Sequence, residues 1–397
     1  MDVAVICEIS REETKMNKYY VVAYKEVNFG DDLLMDTLFC RYPEAEFVMT
    51  APGCYRKIFN QYGNLKIICR DSFIYKIFNK LVSSYSVIMH RDYPKCLEDI
   101  IINSFKRIIY IGGSIFIEKE DAHQVSYERK WWKKAIDGDK KVYILDANFG
   151  PFRSASYTNA MQSVFKKCQD VCFRDQYSFH MFSHIKTVRY GNDIAFLTKT
   201  CKRTKNVSDK YVFVSVVYPA NNFAADLNVH NEYIRKMAEM HKSAQKYGLG
   251  IKYVAFCKFE NDDKTLDEIK NVIGDSDTAE YIVYDGNIEE IKQMVTDSVG
   301  VISARFHGMV LSSVQNRPTF YIAYSTKGIN VIQDNHLDIN YIRLKDIKDI
   351  DSDRIIASMV HDQGKLLLKE EIYKSANEQF IILDKENRNT NHISKII

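Results

Sequence analysis

Two doubly wound α/β halves are the fold class this sequence predicts, and three observations predict it. Short β-branched and aromatic runs alternate with segments of helical spacing along nearly the whole chain, the mark of βα units on parallel sheets. The 397 residues exceed one ordinary core and suit two domains of roughly 200 residues each. A polar stretch from Thr198 to Asp209, rich in Lys, Arg, Thr, Asn and Ser, separates the two alternations and reads as a linker.

In the first half the strand candidates are Tyr19 to Tyr24, Phe47 to Met49, Lys66 to Ile68, Val87 to Met89, Arg107 to Ile111, Val142 to Leu145 and Val171 to Phe173. Between them Phe73, Ile74, Ile77, Phe78, Leu81 and Val82 keep helical spacing. The second alternation runs Tyr211 to Val217, a helix through Asn231 to Tyr247, then Ile251 to Cys257 and a helix near Leu266 to Ile273. It continues with Tyr281 to Tyr284, a helix near Ile288 to Val295, Gly300 to Ile302, a helix from Met309 to Gln315, and Thr319 to Ile322. The expected domains are 1–198 and 210–350, joined by 199–209, with a helical tail at 351–397 that crosses back to the first domain.

Composition excludes several classes. The chain is 46% hydrophobic and 27% charged, ordinary for a globular protein, and its formal net charge of +3 demands no nucleic-acid partner. Nine scattered cysteines suit a reducing compartment. The first 15 residues carry Asp2, Glu8, Glu12 and Glu13 and no long apolar core, and no run reaches the ~20 apolar residues of a membrane span. The expectation is a cytoplasmic protein, at most peripheral to a membrane.

The stretch Ser303-Ala304-Arg305-Phe306-His307-Gly308 follows an apolar strand and opens a helix. Arg305 and His307 there oppose the helix dipole, which disfavours a cation by about 0.3–1 kcal/mol. Either an anionic ligand sits at that helix start, or Arg305 pairs with a carboxylate and His307 caps the turn. Lys327, one strand and one loop further on, favours the ligand.

Open α/β sheets bind ligands beyond the carboxyl ends of their strands. Four loops of the first half lie there: Asn28-Phe29-Gly30-Asp31-Asp32, Gly112-Gly113-Ser114, Asn148-Phe149-Gly150-Pro151-Phe152, and Arg174-Asp175. Gly and Asp at such turns also serve structure alone, Asp31 as a helix cap among them.

These residues resemble the bacterial and fungal polysaccharide pyruvyl transferases from about Asn28 to Lys327. The resemblance rests on Asn28, Gly30 and Asp31; Gly112 and Gly113; Gly150 and Pro151; Arg174, Asp175 and Ser178; Asp193; Ser303, Arg305 and His307; and Tyr324 and Lys327. Ser114 stands where the family often has a third Gly, Phe306 where Leu is usual, and extra residues precede the first matched strand.

The resemblance implies two Rossmann-like domains facing a central cleft, as in GT-B glycosyltransferases. It also implies that phosphoenolpyruvate gives its pyruvyl group to two hydroxyls of a hexose in a glycan, one that is lipid-linked or surface-bound, forming a ketal and releasing phosphate. No further cofactor or metal is expected. Arg174, Arg305, Phe306, Lys327 and Ser303 would bind the donor. His307 would be the general acid, protonating either the enol methylene or the departing phosphate, and Asp31 and Asp193 the bases or acceptor binders. A glycosyltransferase using a nucleotide sugar, or a non-catalytic partner in polysaccharide assembly, are the alternatives.

Other clusters read as structural. His180 and His184 stand at metal-pair spacing without a third ligand, and Cys168 and Cys172 read as core-facing thiols. Arg129 to Lys134, with both tryptophans, suits either a membrane-surface contact or a helix whose Trp packs on a sheet. The basic linker residues Lys199, Lys202, Arg203 and Lys205 suit a solvated hinge or a phospholipid contact.

Overall fold

The computed structural model describes residues 17–89, 94–119, 132, 136, 139–204, 210–219, 227–361 and 368–393. The chain divides into two compact units. One comprises the residues up to Lys25, Leu34–Ile194 and those from Lys374 on, and the other Glu26–Leu33 and Ala195–Tyr373.

The first unit holds β1 (Lys18–Val22), β2 (Glu46–Ala51), β3 (Leu65–Cys69), β4 (Arg107–Ile111), β5 (Lys141–Ala147), β6 (Asp170–Phe173) and β7 (Val188–Tyr190). They pair in parallel throughout, in the order β3-β2-β1-β4-β5-β6-β7. The second unit holds β8 (Tyr211–Val216), β9 (Gly250–Ala255), β10 (Ala279–Val283), β11 (Gly300–Ser303), β12 (Thr319–Ala323) and β13 (Asn340–Arg343). These are also parallel, in the order β10-β9-β8-β11-β12-β13. Both are doubly wound Rossmann-type sheets, the class the alternation predicts. Strand order reverses at β1/β4 and at β8/β11, and crevices for ligands open at such switch points.

Burial explains why the central strands read as near-continuous apolar runs: all six residues of β8 are buried, as helices cover both faces of a parallel sheet. In the first unit Phe116, Phe149, Phe165, Phe173 and Phe182 pack ring against ring, with Phe116 5.0 Å from Phe165 and Phe149 4.8 Å from Phe182. In the second, Val214, Ile302, Tyr253, Met237 and Ile356 belong to one buried cluster.

Three expectations change. Val87 and Ile88 end the Phe73–Ile88 helix instead of forming a strand. Ser72 caps that helix, its Oγ accepting from the Tyr75 N–H at 3.2 Å, and the helical spacing of Phe73 to Val82 overrides the β-branched run that follows. The helix expected from Met309 begins at Phe306. Edge strands β7 and β13 were not anticipated, because Val188-Arg189-Tyr190 and Asn340-Tyr341-Ile342-Arg343 lack an apolar run.

The linker is also more anchored than a hinge. Gln315 holds it at both ends of a short segment, Oε1 accepting from the Cys201 N–H at 2.8 Å and Nε2 donating to the Lys199 carbonyl at 3.1 Å. Thr204 donates through N–H and hydroxyl to Asp297 at 2.7 and 2.6 Å. Lys205 lies outside the described residues, as do Arg129 to Trp131, Lys133 and Lys134. Trp132 is buried, its ring 4.4 Å from that of Tyr110.

The segment from Lys374 on belongs to the first unit, while Ser352–His361 stays with the second. Gln379 accepts from the Asp146 N–H at 2.9 Å and donates to the Gly191 carbonyl at 2.7 Å; Arg41 binds Asp384 through two nitrogens at 3.1 and 2.7 Å. Among the described residues, no helix is long and apolar enough to cross a membrane.

Candidate functional site

The second unit gathers most of the predicted site at the carboxyl end of β11, its switch-point strand. Ser303 ends that strand fully buried, its Oγ 2.6 Å from Ser215 Oγ on β8 and donating to the Arg305 carbonyl at 2.6 Å. These bonds fix the sharp turn into the Phe306–Val314 helix, and Arg305 occupies its cap position. Gly308 presses on the same hydroxyls: a methyl there would lie 2.4 Å from Ser303 Oγ and 2.7 Å from Ser215 Oγ. Only glycine lets the first helical turn settle so low.

The anion that the helix-dipole argument demanded at Arg305 is present within the protein. Arg305 Nε donates to Asp262 Oδ2 at 2.9 Å, Nη2 to Asp262 Oδ1, and Nη1 to Glu260. Asp262 is fully buried and Arg305 nearly so, whereas the Glu260 side chain is about a third exposed. Asp262 also accepts from the Cys257 N–H at 3.1 Å, which ties the clamp to the loop after β9. Burial pushes the Asp262 carboxyl up to about 6, against the lowering pull of Arg305. It is therefore largely ionised at pH 7, and Arg305 is held charged.

The Asn28 to Asp32 loop, although it follows β1, belongs to the second unit. Phe29 drives this: its N–H donates to the Phe256 carbonyl at 3.2 Å, and its ring lies 4.6 Å from Phe256 and 5.5 Å from Tyr284. Tyr284 donates to Asp32 Oδ2 at 2.9 Å, and Asn28 Oδ1 accepts from the Gly30 N–H at 3.0 Å. The loop thereby puts Gly30 against His307, where a methyl would fall 2.0 Å from Nδ1. The His307 ring is half-buried, 5.0 Å from the Phe306 ring and nearly perpendicular to it. Asp31 is half-buried beside Gly30 in the first turn of the Phe29–Arg41 helix. Lys327, also half-buried, is the second residue of the Thr326–Asp334 helix after β12; the next residue, Gly328, lies against the Tyr321 ring.

In the first unit Arg174 and Asp193 join Asp146 and Asn148 in a buried network. Arg174, after β6, donates from Nη1 to Asp193 Oδ2 at 2.7 Å and Asp146 Oδ2 at 3.1 Å, and from Nε to Asn148 Oδ1 at 2.8 Å. Asp146, at φ +61°, also accepts from the Ile194 N–H at 2.8 Å. Burial, then the neighbouring Asp193, push the Asp146 carboxyl well above its ordinary range. Gly113 is a matter of space, since a methyl there would fall 1.9 Å from Arg174 Nη2. Gly112 and Gly150 hold φ +139° and +104°, and Ser114 is exposed. Asp175 caps the Gln176–Phe182 helix, accepting from the Ser178 N–H at 2.8 Å and hydroxyl at 2.7 Å.

Asp146, Glu260, Asp262 and Tyr284 carry these networks and were not singled out from the sequence. Glu260 to Asp263 reads there as an acidic helix start, and nothing local couples it to an arginine 43 positions away. Among the described residues no group of His, Cys, Asp or Glu could hold a metal ion. His184 lies beyond its helix beside Gln162, Cys172 lies on β6, and Cys168 lies in the turn before it.

A family model described as polysaccharide pyruvyl transferase matches residues 28–326, beginning at the loop that meets His307 and taking in both arginine clamps. The chain belongs to the polysaccharide pyruvyl transferase family. This pyruvyl transferase family member is thus a transferase of polysaccharide biosynthesis. No curated protein matches its sequence significantly. Solved structures match its fold. A putative UDP-N-acetylglucosamine 2-epimerase from Listeria monocytogenes is 10% identical with a TM-score of 0.56, covering 96% of this chain and 98% of its own. The UDP-GlcNAc 2-epimerase from Neisseria meningitidis bound to UDP-GlcNAc is 9% identical with a TM-score of 0.54, covering 93% and 98%. At that identity the likeness speaks to fold alone, the GT-B-like pair of Rossmann-type domains.

Proposed function

We propose that this transferase moves the pyruvyl group of phosphoenolpyruvate onto two hydroxyls of a hexose in a glycan, with the Ser303 to Gly308 segment as the donor site. The observation that carries this is the packing of Gly30 on His307, which makes two separate family motifs one surface.

The donor bears a carboxylate and a phosphate. Arg305 stays fixed by the buried Asp262 and exchanges its partly exposed partner, Glu260, for the donor carboxylate, since a carboxylate already open to solvent returns to water at little cost. The start of the Phe306–Val314 helix and Lys327 take the phosphate. His307 gives its proton to the enol methylene, leaving cationic character at the carbon that bears phosphate. One sugar hydroxyl attacks that carbon, phosphate departs with the C–O bond electrons, and the second hydroxyl closes the ketal, giving its proton to the released phosphate. Asp31, in the same turn as Gly30, accepts an acceptor proton. Arg174 orients the first unit's turn at Gly113 as a positioning residue.

The test is release of inorganic phosphate from phosphoenolpyruvate that depends on an added hexose glycoside, with product mass raised by pyruvic acid less one water. Release of a nucleoside diphosphate from a nucleotide sugar instead would assign a glycosyltransferase. Turnover of neither donor across a panel of glycosides would assign a non-catalytic role.

A further inference from the structure

The Phe73–Ile88 helix of the first unit carries its apolar side outward. Tyr75 and Ser86 are buried, Val82 packs on the core, and Asn79 Oδ1 accepts from the Leu97 N–H at 2.8 Å, so the row 75, 79, 82, 86 faces the protein. The opposite side shows Phe73 at 77% exposure, Leu81 at 59% and Ile88 at 73%, with Ile77, Phe78 and Tyr85 also exposed. At the α-helical turn these six span an arc of about 140°. A contiguous apolar face of this kind marks an interaction surface.

Charge says which partner. Lys76 and Lys80 flank the apolar arc, both exposed, and exposed Lys95 is tied to the same helix by its carbonyl, which accepts from Ser83 Oγ at 2.9 Å. No carboxylate occurs from Ser72 to Met89. Among the described residues the acidic neighbours are engaged within the unit: Asp71 accepts from the Gly53 N–H, Glu98 pairs with Lys25, and Asp99 accepts from the Lys95 N–H at 2.8 Å.

We propose that this face docks on an anionic phospholipid surface, the helix lying in the plane of the headgroups with its lysines on phosphate. Its 16 residues extend about 24 Å, less than a bilayer core, and one side is occupied by the protein, so it lies on the membrane and does not cross it. Pairing with a second copy is disfavoured, because a two-fold contact of this face would gather the lysines of both copies at one seam with no carboxylate of either helix to answer them. The proposal does not rest on the chemistry assigned above.

The experiment is co-sedimentation of the full chain with vesicles of phosphatidylcholine alone or with roughly one lipid in four replaced by phosphatidylglycerol. The protein is expected to pellet with the anionic vesicles and to be released by salt. Ile77→Glu with Leu81→Glu, both at exposed positions, keeps the melting temperature and lowers partition at least about tenfold. Lys76→Glu with Lys80→Glu lowers it by about as much on anionic vesicles and little on neutral ones. Wild-type protein left in the supernatant, or variants that pellet like wild type, overturn the proposal. So does a wild-type dimer in light scattering that Ile77→Glu with Leu81→Glu dissolves, in the absence of vesicle binding.

Discussion

Gly30→Ala separates chemistry from folding at the candidate site. Gly30 lies in the first turn of the Phe29–Arg41 helix without a positive φ, so its backbone accepts alanine, and helix propensity even gains up to about 1 kcal/mol. The new methyl, however, would lie 2.0 Å from His307 Nδ1 and 2.8 Å from its Cγ and Cε1. Relief comes from the imidazole, a terminal side-chain group, which must retreat by about 1 Å or more; misplacement on that scale costs about 10²-fold in rate. The expected outcome is a melting temperature within a few degrees of wild type, donor KM changed little, and kcat lowered about a hundredfold. Acceptor-dependent phosphate release measures the rate, and Gly63→Ala, whose added methyl meets nothing within 4 Å, is the control. Wild-type kcat in Gly30→Ala would refute the placement of His307 at the chemistry, and a matching loss of stability and rate would reduce the effect to folding.

Further outcomes follow from the arginine clamps. Arg305→Met leaves Asp262 buried without its counter-charge and lowers unfolding free energy by about 3 kcal/mol or more, read from the urea midpoint, while adding Asp262→Leu restores much of it. Glu260→Gln weakens the competitor for Arg305, so KM for phosphoenolpyruvate falls several-fold with kcat little changed. With the folded Asp262 carboxyl at about 6, above its ordinary 3.8, the native state holds a proton there between those values that the unfolded chain has lost. This group's contribution to stability is thus present below pH 4 and lost as pH rises through 6, while turnover follows its ionised form and falls below about pH 6; Asp262→Asn removes that acid limb from the pH profile. Gly113→Ala meets Arg174 Nη2 at 1.9 Å inside a buried network and lowers the melting temperature by several degrees, checked by calorimetry.

Legibility in the sequence followed the range of the forces involved. Strands β4, β5, β8 and β11 were plain because burial on both faces makes their residues mostly apolar. The Ser303 to Gly308 turn was legible because two basic groups at a helix start are locally unfavourable. What answers them was not: Asp262 and Glu260 arrive from the neighbouring loop, and the paired charges leave no periodic trace. The membership of Asn28 to Asp32 in the second unit was hidden for a similar reason. Its anchor is one ring, Phe29, and a phenylalanine at the start of a helix looks the same whichever core receives it. Val87 and Ile88 misled because β-branched residues at a helix end and in a short strand are indistinguishable without the Ser72 cap and the buried row before them.

The return of the final helices to the first unit has a consequence for how that unit is built. Gln379, fully buried, satisfies the Asp146 amide, and Glu386 receives the Tyr143 hydroxyl, so the sheet that begins at Lys18 is completed by residues translated after all of the second unit. The first unit therefore draws on both sides of the second along the chain, and its core is shared between stretches that more than 200 residues separate.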